Sequence, residues 1–522
     1  MIQVFLLEEV TSGGVGYTGY RMPFANLYDM LAASARRFPD KTALIDAERE
    51  IAFSALQEEV DALSAYLAGA LGIGTGSRVG LMMVNSIEFA AAFYAVVKLG
   101  ATVVSVNTKL SADEVCYILR DSQAGCLITD RRWQEKAAGA GVERVLVTEE
   151  LAAAMAAGRQ MAPVPSATDD SLPAEIMYTS GTTGRPKGAV MTHFNLMQGL
   201  YAYAVDNRMD DTESTVLAVP AFHITGLNCV LTLFIFLGGL VVMSPFFDAV
   251  DVLDKMTQYK VTHFHAVATV FILLESAMLP RHDLSSLRTA LCGGGFISRE
   301  TVERFCRKAP NCAFHPVYGM TETSGAGTYF PVHCLASPIE NSCGRATANC
   351  AIRVVDPEGR EVPPQVSGEI CFKGPFIIRE YLHGRGQENI TDGWLHSGDI
   401  GCFDGEGYLY IKDRIKDMIN RGGEKVFSLP VEDAIMAYQG VKQAAVFAVD
   451  DPLYGEVPGA VVIPAAGAVV DLEGLRAFLR QHLAHYKVPV YIELRQEMPV
   501  TANEKVQKFQ LRQEFNQRYA HR

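Results

Sequence analysis

Eleven consecutive residues, Tyr178-Thr-Ser-Gly-Thr-Thr-Gly-Arg-Pro-Lys-Gly188, concentrate the residue types that bind phosphate. Gly181, Gly184 and Gly188 let a backbone bend sharply and approach a ligand closely. Successive N–H groups in such a turn form an anion-binding nest. Thr179, Ser180, Thr182 and Thr183 add hydroxyl donors, and Lys187 adds a mobile cation. Pro186 keeps the residue before it extended. The composition is that of a loop that holds polyphosphate. It is not the pattern in which a lysine followed by Ser or Thr opens a helix. Gly184 is followed by Arg185 and Pro186, and Gly188 to Thr192 reads as a strand. The loop therefore joins two strands, and on composition alone a flexible hairpin is the other reading.

Further segments carry chemistry downstream. They are Tyr318-Gly-Met-Thr-Glu322, Ser397-Gly-Asp399, Asp413-Arg414-Ile-Lys416-Asp417 and Lys505. Taken singly, each has a plain reading. Glu322 is a solvated carboxylate, Tyr318 a core tyrosine, Asp399 a turn residue and 413–417 a charged turn. Together, in this order, they resemble the acyl-adenylate-forming superfamily of acyl-CoA synthetases, adenylation domains and luciferases. The resemblance spans about residues 25–515.

The resemblance implies a two-step reaction on ATP and a carboxylic acid, with coenzyme A as the second substrate. A carboxylate attacks the α-phosphate to give acyl-AMP and pyrophosphate, and a thiol then displaces AMP. Thr179, Ser180, Gly181, Thr182, Thr183, Gly184 and Lys187 would cradle the outer phosphates. Glu322 would hold Mg²⁺, a hard ion suited to carboxylate and phosphate oxygens. Thr321 would donate to the α-phosphate, and Tyr318, with Gly319 beside it, would stack on adenine. Gly294, within Gly293–Gly295, would let backbone approach the base and the acyl group. Asp399 would accept from both ribose hydroxyls, with Arg414 reaching the same ribose. His223 matches the position that gates acyl and thiol entry. A lone histidine between apolar residues is otherwise a core residue. Lys505 matches the catalytic lysine that bridges the carboxylate and the α-phosphate, although Glu504 stands where the family has glycine, and Lys508 is the distant runner-up for that role. Lys416 matches the hinge, and Gly422 and Gly423 would reach the thiol tunnel.

The elements that must position these residues alternate. Strand and helix alternate over residues 39–350, which implies doubly wound α/β subdomains with ligand at the C-terminal strand edge. A small β unit follows, and then a compact α+β domain. The expected organisation is an unstructured extension over 1–21, a large AMP-binding domain over 22–413 and a small mobile domain over 414–522. Met22 is the expected natural start. Ser54 is expected to cap a helix, and Ser111-Ala-Asp-Glu has the capping-box pattern. His263 and His265, two ligands without a third, read as core or pocket wall rather than metal ligands.

Composition bounds the rest. The 522 residues are too many for one core. A net charge of −13 with no basic run excludes nucleic acid as the main partner. The 11 cysteines form no C-x-x-C pair, which points to reduced thiols in the cytoplasm. The apolar run Val230 to Met243 is too short to span a bilayer, so no membrane span is expected. A homodimer is compatible with this reading. The substrate expected is a fatty or aromatic acid with an apolar body. Ile224, where amino-acid-activating relatives carry Asp, argues against an amino acid. The rivals are adenylation for a separate carrier protein and a non-catalytic nucleotide binder.

Overall fold

The computed structural model describes residues 6–47, 49–179, 186–295, 297–500 and 506–519. The chain forms two compact units. One comprises Met1–Ile352 with Phe372–His396, and the other Arg353–Cys371 with Ser397–Arg522.

In the first unit the largest sheet has seven strands. In spatial order they are Glu380–Tyr381, Lys187–Thr192, Pro173–Thr179, Thr102–Ser105, Arg78–Met82, Cys126–Thr129 and Arg144–Val147. The chain enters near the middle at Arg78–Met82, adds Thr102–Ser105 on one side, then crosses to the other. The five strands from Pro173–Thr179 to Arg144–Val147 in that order pair in parallel, and Lys187–Thr192 and Glu380–Tyr381 add antiparallel. This is the doubly wound order that the alternating pattern predicts. Val79–Met82 and Thr102–Ser105 are buried at every residue, as strands covered on both faces are. Helix Ile87–Lys98 starts where Ser86 accepts from the Phe89 N–H, and Ser111 with Glu114 forms the predicted capping box. Ser54 is not a cap. Helix Phe53–Leu71 begins one residue earlier, and the Ser54 hydroxyl donates to the Pro39 carbonyl instead.

A second sheet orders Ser214–Leu217, Leu240–Met243, Thr42–Ile45 and Glu50–Ala52. A third sets His263–Val267, Thr289–Gly293 and Ala313–Gly319 in parallel, extended by Gly327–Tyr329 and Arg345–Ala346. His263 and His265 lie in its buried core beside Phe234 and Tyr203, and burial pulls the His265 pKa down to about 3.

The expected unstructured extension over 1–21 is corrected for its described residues, 6–21. Leu7–Ser12 and Val15–Tyr20 form an antiparallel hairpin. Its two-residue turn is Gly13-Gly14, with φ of +53° and +76°, the geometry glycine pairs supply in hairpins. Gln198 fastens the hairpin by accepting from the Tyr20 N–H at 3.0 Å and donating to the Tyr20 carbonyl at 2.7 Å. Ser12 donates to Asp170, and Arg379 donates to the Tyr17 hydroxyl.

In the second unit, Trp394–Phe403 and Leu409–Arg414 pair antiparallel, with Asp399 opposite Arg414. The sheet that follows orders Glu424–Val426, Ile419–Arg421, Gly455–Pro464 and Val441–Asp451, with Tyr491–Leu494 parallel to Gly455–Pro464. Strand Val441–Asp451 is buried on both faces. Ala444, Val446 and Ala448 face one core, with helices Ser428–Met436 and Leu472–His482. Ala445, Phe447 and Val449 face the other, with Leu511 and Phe515 of helix Lys508–Tyr519. No described helix is long and apolar enough to cross a membrane.

Candidate active site

Strands Pro173–Thr179 and Lys187–Thr192 are antiparallel neighbours, with Thr179 directly opposite Lys187. The glycine loop therefore joins two strands, as its sequence predicts. Ser180, Gly181, Thr182, Thr183 and Gly184 lie outside the described residues, and so does Lys505.

At the base of that loop the structure gathers four side chains. Glu322 is 4% exposed. Its Oε1 accepts from the Thr179 hydroxyl at 3.1 Å and from the Tyr381 hydroxyl at 3.1 Å. The Lys187 ammonium lies 4.0 Å from the centroid of the Tyr381 ring. Burial lowers the Lys187 pKa, and the carboxylates of Glu322 and Glu388 oppose that fall. Burial, with Glu322 adding to it, raises the Tyr381 phenol and keeps it a donor. A hard carboxylate held by hydroxyls is the donor type a divalent cation such as Mg²⁺ takes. An ammonium beside it suits phosphate oxygens. The residues present fit a magnesium-bound polyphosphate.

Glu322 owes its place to a fastened turn. Residues Thr321–Thr323 form one turn of 3₁₀ helix, with Thr321 half-buried beside Glu322. The Thr323 hydroxyl accepts from the Met320 N–H at 2.9 Å, and the Glu322 carbonyl accepts from the Ile378 N–H at 3.0 Å. Behind the turn, Asn228 donates to the Ser324 and Leu196 carbonyls, and Tyr203 donates to the Gly325 carbonyl at 2.7 Å. Asn195 donates to the Pro375 and Ile377 carbonyls and so sets the path into Tyr381.

Tyr381, Asn195 and Asn228 escape sequence reasoning. Tyr381 sits in the two-residue strand Glu380–Tyr381, opposite Ala189, and so short a strand carries no period. Asn228 lies in a π-helical stretch, Leu227–Thr232, within a wholly buried helical run. A polar residue in that apolar run is the one signal that could have found it.

The remaining first-unit residues sit at the C-terminal ends of parallel strands. Gly294, with φ of +70°, follows Thr289–Gly293. Tyr318 and Gly319 end Ala313–Gly319, and the Tyr318 ring lies 5.4 Å from Phe372. His223 precedes the short helix Ile224–Gly226, half-buried, with its ring 4.8 Å from Phe222.

The second unit holds the other predicted residues. Arg414 Nε lies 3.3 Å from Asp399 Oδ1, and the Asp399 N–H donates to the Ser397 hydroxyl at 3.0 Å. Lys416 is exposed in the turn after Arg414. Gly422 and Gly423, at φ of +59° and +95°, form the turn between Ile419–Arg421 and Glu424–Val426.

Comparison with known proteins agrees with this geometry. Residues 31–382 match the AMP-binding enzyme family, and residues 430–505 match the AMP-binding enzyme C-terminal domain. The chain is 35% identical over 489 residues to a feruloyl-CoA synthase from Amycolatopsis sp, covering 92% of this chain and 97% of the relative. It is 31% identical to a 2-succinylbenzoate–CoA ligase from Bacillus cereus over 478 residues, 91% of this chain and 96% of the relative. Among solved structures it resembles the o-succinylbenzoate CoA synthetase of Bacillus subtilis bound to its acyl-adenylate intermediate. That match has a TM-score of 0.84 and 29% identity, covering 92% of this chain and 97% of that one. The same synthetase bound to ATP and a magnesium ion matches with a TM-score of 0.83 and 29% identity, covering 92% and 98%. The chain belongs to the AMP-binding enzyme family, the acyl-adenylate-forming superfamily, and to its AMP-forming acyl-CoA ligase branch.

Proposed function

We propose that this ligase joins an aromatic carboxylic acid to coenzyme A, using ATP and Mg²⁺, through an aryl-type acyl adenylate. The observation that carries the reading is Glu322, buried at the base of the glycine loop and held by Thr179 and Tyr381 beside Lys187. What favours an aromatic acid over a fatty one is the relatives named above, a feruloyl-CoA synthase and a 2-succinylbenzoate–CoA ligase.

In this reading Ser180 to Gly184 and Lys187 hold the outer phosphates, and Thr321 donates to the α-phosphate. Glu322 holds Mg²⁺, which when bound neutralises phosphate oxygens. Tyr318, Gly319 and Gly294 receive the adenine, while Asp399 and Arg414 take the ribose. Lys505 sets its ammonium between the incoming carboxylate and the α-phosphate, so two anions can meet. A carboxylate oxygen then bonds to the α-phosphorus as the bond to pyrophosphate breaks. In the second step the thiol sulfur of coenzyme A bonds to the acyl carbon, and AMP leaves. His223 gates that entry, and Gly422 and Gly423 line the thiol path. Lys416 is the hinge at a functional boundary near residue 413, about which residues 414–522 move between the steps. ATP and coenzyme A as substrates support a cytoplasmic place of action.

A pyrophosphate-release screen tests this. Hydroxycinnamic, benzoic, fatty and dicarboxylic acids are each assayed with and without coenzyme A. The expected result is release that is strongest with an aromatic acid, with a matching thioester when coenzyme A is present. Release with a fatty acid alone would overturn the substrate class, and release without thioester would point to a carrier protein.

A further inference from the structure

Helix Lys508–Tyr519 buries Leu511 and Phe515, three and seven residues after Lys508. That spacing puts Lys508 on the same inward stripe. Its side chain is 16% exposed. It donates to the Ser428 hydroxyl at 2.7 Å and pairs with Glu432 Oε1 at 2.7 Å. Both partners belong to helix Ser428–Met436. Glu432 is 8% exposed, and its Oε1 also accepts from the Val446 N–H at 2.7 Å.

The network continues through Ser428 to Asp413, the residue before Arg414. The Ser428 hydroxyl donates to Asp413 Oδ1 at 2.8 Å, and the Ser428 N–H donates to Asp413 Oδ2. Asp413 is 1% exposed and accepts from the Arg414 N–H at 2.8 Å. A carboxylate from a distant strand thus satisfies the otherwise uncapped start of the helix. Burial pushes both carboxyls up, and Lys508 opposes the rise in each.

The other end of the same segment is also tied. Val500 and Val506 pair as an antiparallel bridge, and the Gln507 N–H donates to the Pro499 carbonyl at 2.8 Å. The Gln507 side chain donates to the Val500 carbonyl at 2.7 Å. Lys505 lies in sequence between the two bridged valines, three residues before Lys508.

We propose that Lys508 is a positioning residue for acyl-adenylate formation: locked between Glu432 and Ser428, it fixes the stem that presents Lys505 and ties that stem, through Asp413, to the strand that carries Arg414. The inference rests on the reading of Lys505 as the adenylation lysine. Lys508 has no role at the reacting atoms. Its charge is compensated inside the domain, and its effect reaches the chemistry through the backbone of residues 506–508. A small displacement of a catalytic group suffices for a large rate loss.

The test separates the half-reactions in the full-length enzyme. Lys508→Met is expected to lower kcat for adenylate formation roughly 10- to 100-fold, with KM for ATP and acid within about threefold. Thioester formation from supplied acyl-AMP is expected to stay within about twofold, because that step does not use Lys505. Lys508→Arg, which keeps the charge, is expected to recover most of the loss. Should Lys508→Met not fold, Lys508→Met with Glu432→Leu removes both buried charges and carries the same assay. Equal loss in both half-reactions, or no loss in either, overturns the proposal. Lys505→Ala is the control. If it leaves adenylate formation intact, the reading of Lys505 fails. If it abolishes adenylate formation while the folded Lys508 variant does not, only the positioning role fails.

Discussion

Glu322 concentrates the site's electrostatics in one carboxylate. Two hydroxyls hold it, an ammonium stands close, and almost none of it reaches water. Glu322→Gln keeps the size and the acceptor oxygen but removes the charge. Adenylate formation is expected to fall on the order of a hundredfold and to need more Mg²⁺ for half-maximal rate. Pyrophosphate release across a magnesium titration checks this, and an unchanged magnesium dependence would remove Glu322 from the metal site. Asp206 makes a prediction of a different kind. It ends helix His193–Asp206, its Oδ2 is buried without a hydrogen-bond partner, and burial raises its pKa from 3.8 to about 7. Below pH 3.8 the carboxyl is neutral whether the chain is folded or not. As pH rises from there to 7 the unfolded chain ionises first, so this group destabilises the fold progressively and fully above pH 7. Asp206→Asn is therefore expected to be more stable than the parent at pH 8, by up to about 4 kcal/mol, with the difference falling below about 1 kcal/mol near pH 4. Denaturant midpoints at the two pH values read it directly, and a constant difference would mean that ionisation is not its source.

At the scale of elements, much was legible and the failures share a cause. The strands Arg78–Met82 and Thr102–Ser105, the capping box at Ser111 and the paired strands around the glycine loop each carry a local signal, a period or a cap. The N-terminal hairpin also carried one, since Gly13-Gly14 between alternating residues is a turn. Its stability comes from Gln198, far along the chain, and that partner is invisible until the fold exists. Tyr381 was missed for the same reason. Gln198→Ala strips the buried Tyr20 backbone groups of their partner and is expected to cost about 1–3 kcal/mol, with earlier proteolysis within residues 6–20. A hairpin as protected as in the parent would show that Gln198 is not its anchor. The turn after Arg414 offers the corresponding functional test. Lys416→Pro restricts the backbone at an exposed position and is expected to spare adenylate formation while lowering thioester formation at least about tenfold. Equal rates in both half-reactions would argue against a hinge there.

For the whole molecule, the order of the motifs identified the family and the geometry supplied their partners. Asp399 and Arg414 form an ion pair across one ladder, and Thr179, Lys187, Glu322 and Tyr381 meet at the base of one loop. The sequence held every one of these residues, but only the fold states which of them touch. The choice of acid was least legible, because it depends on the shape of a pocket built from several strand ends and a buried helical run. Mass spectrometry of one reaction mixture containing the enzyme, ATP, Mg²⁺, coenzyme A and a hydroxycinnamic or substituted benzoic acid shows whether ATP is cleaved to AMP in forming an aryl thioester. AMP and aryl-CoA are expected in equal amounts, with both absent when Lys505 is replaced by Ala. ADP in place of AMP, or AMP with no thioester from any aromatic acid, would contradict the proposed reaction.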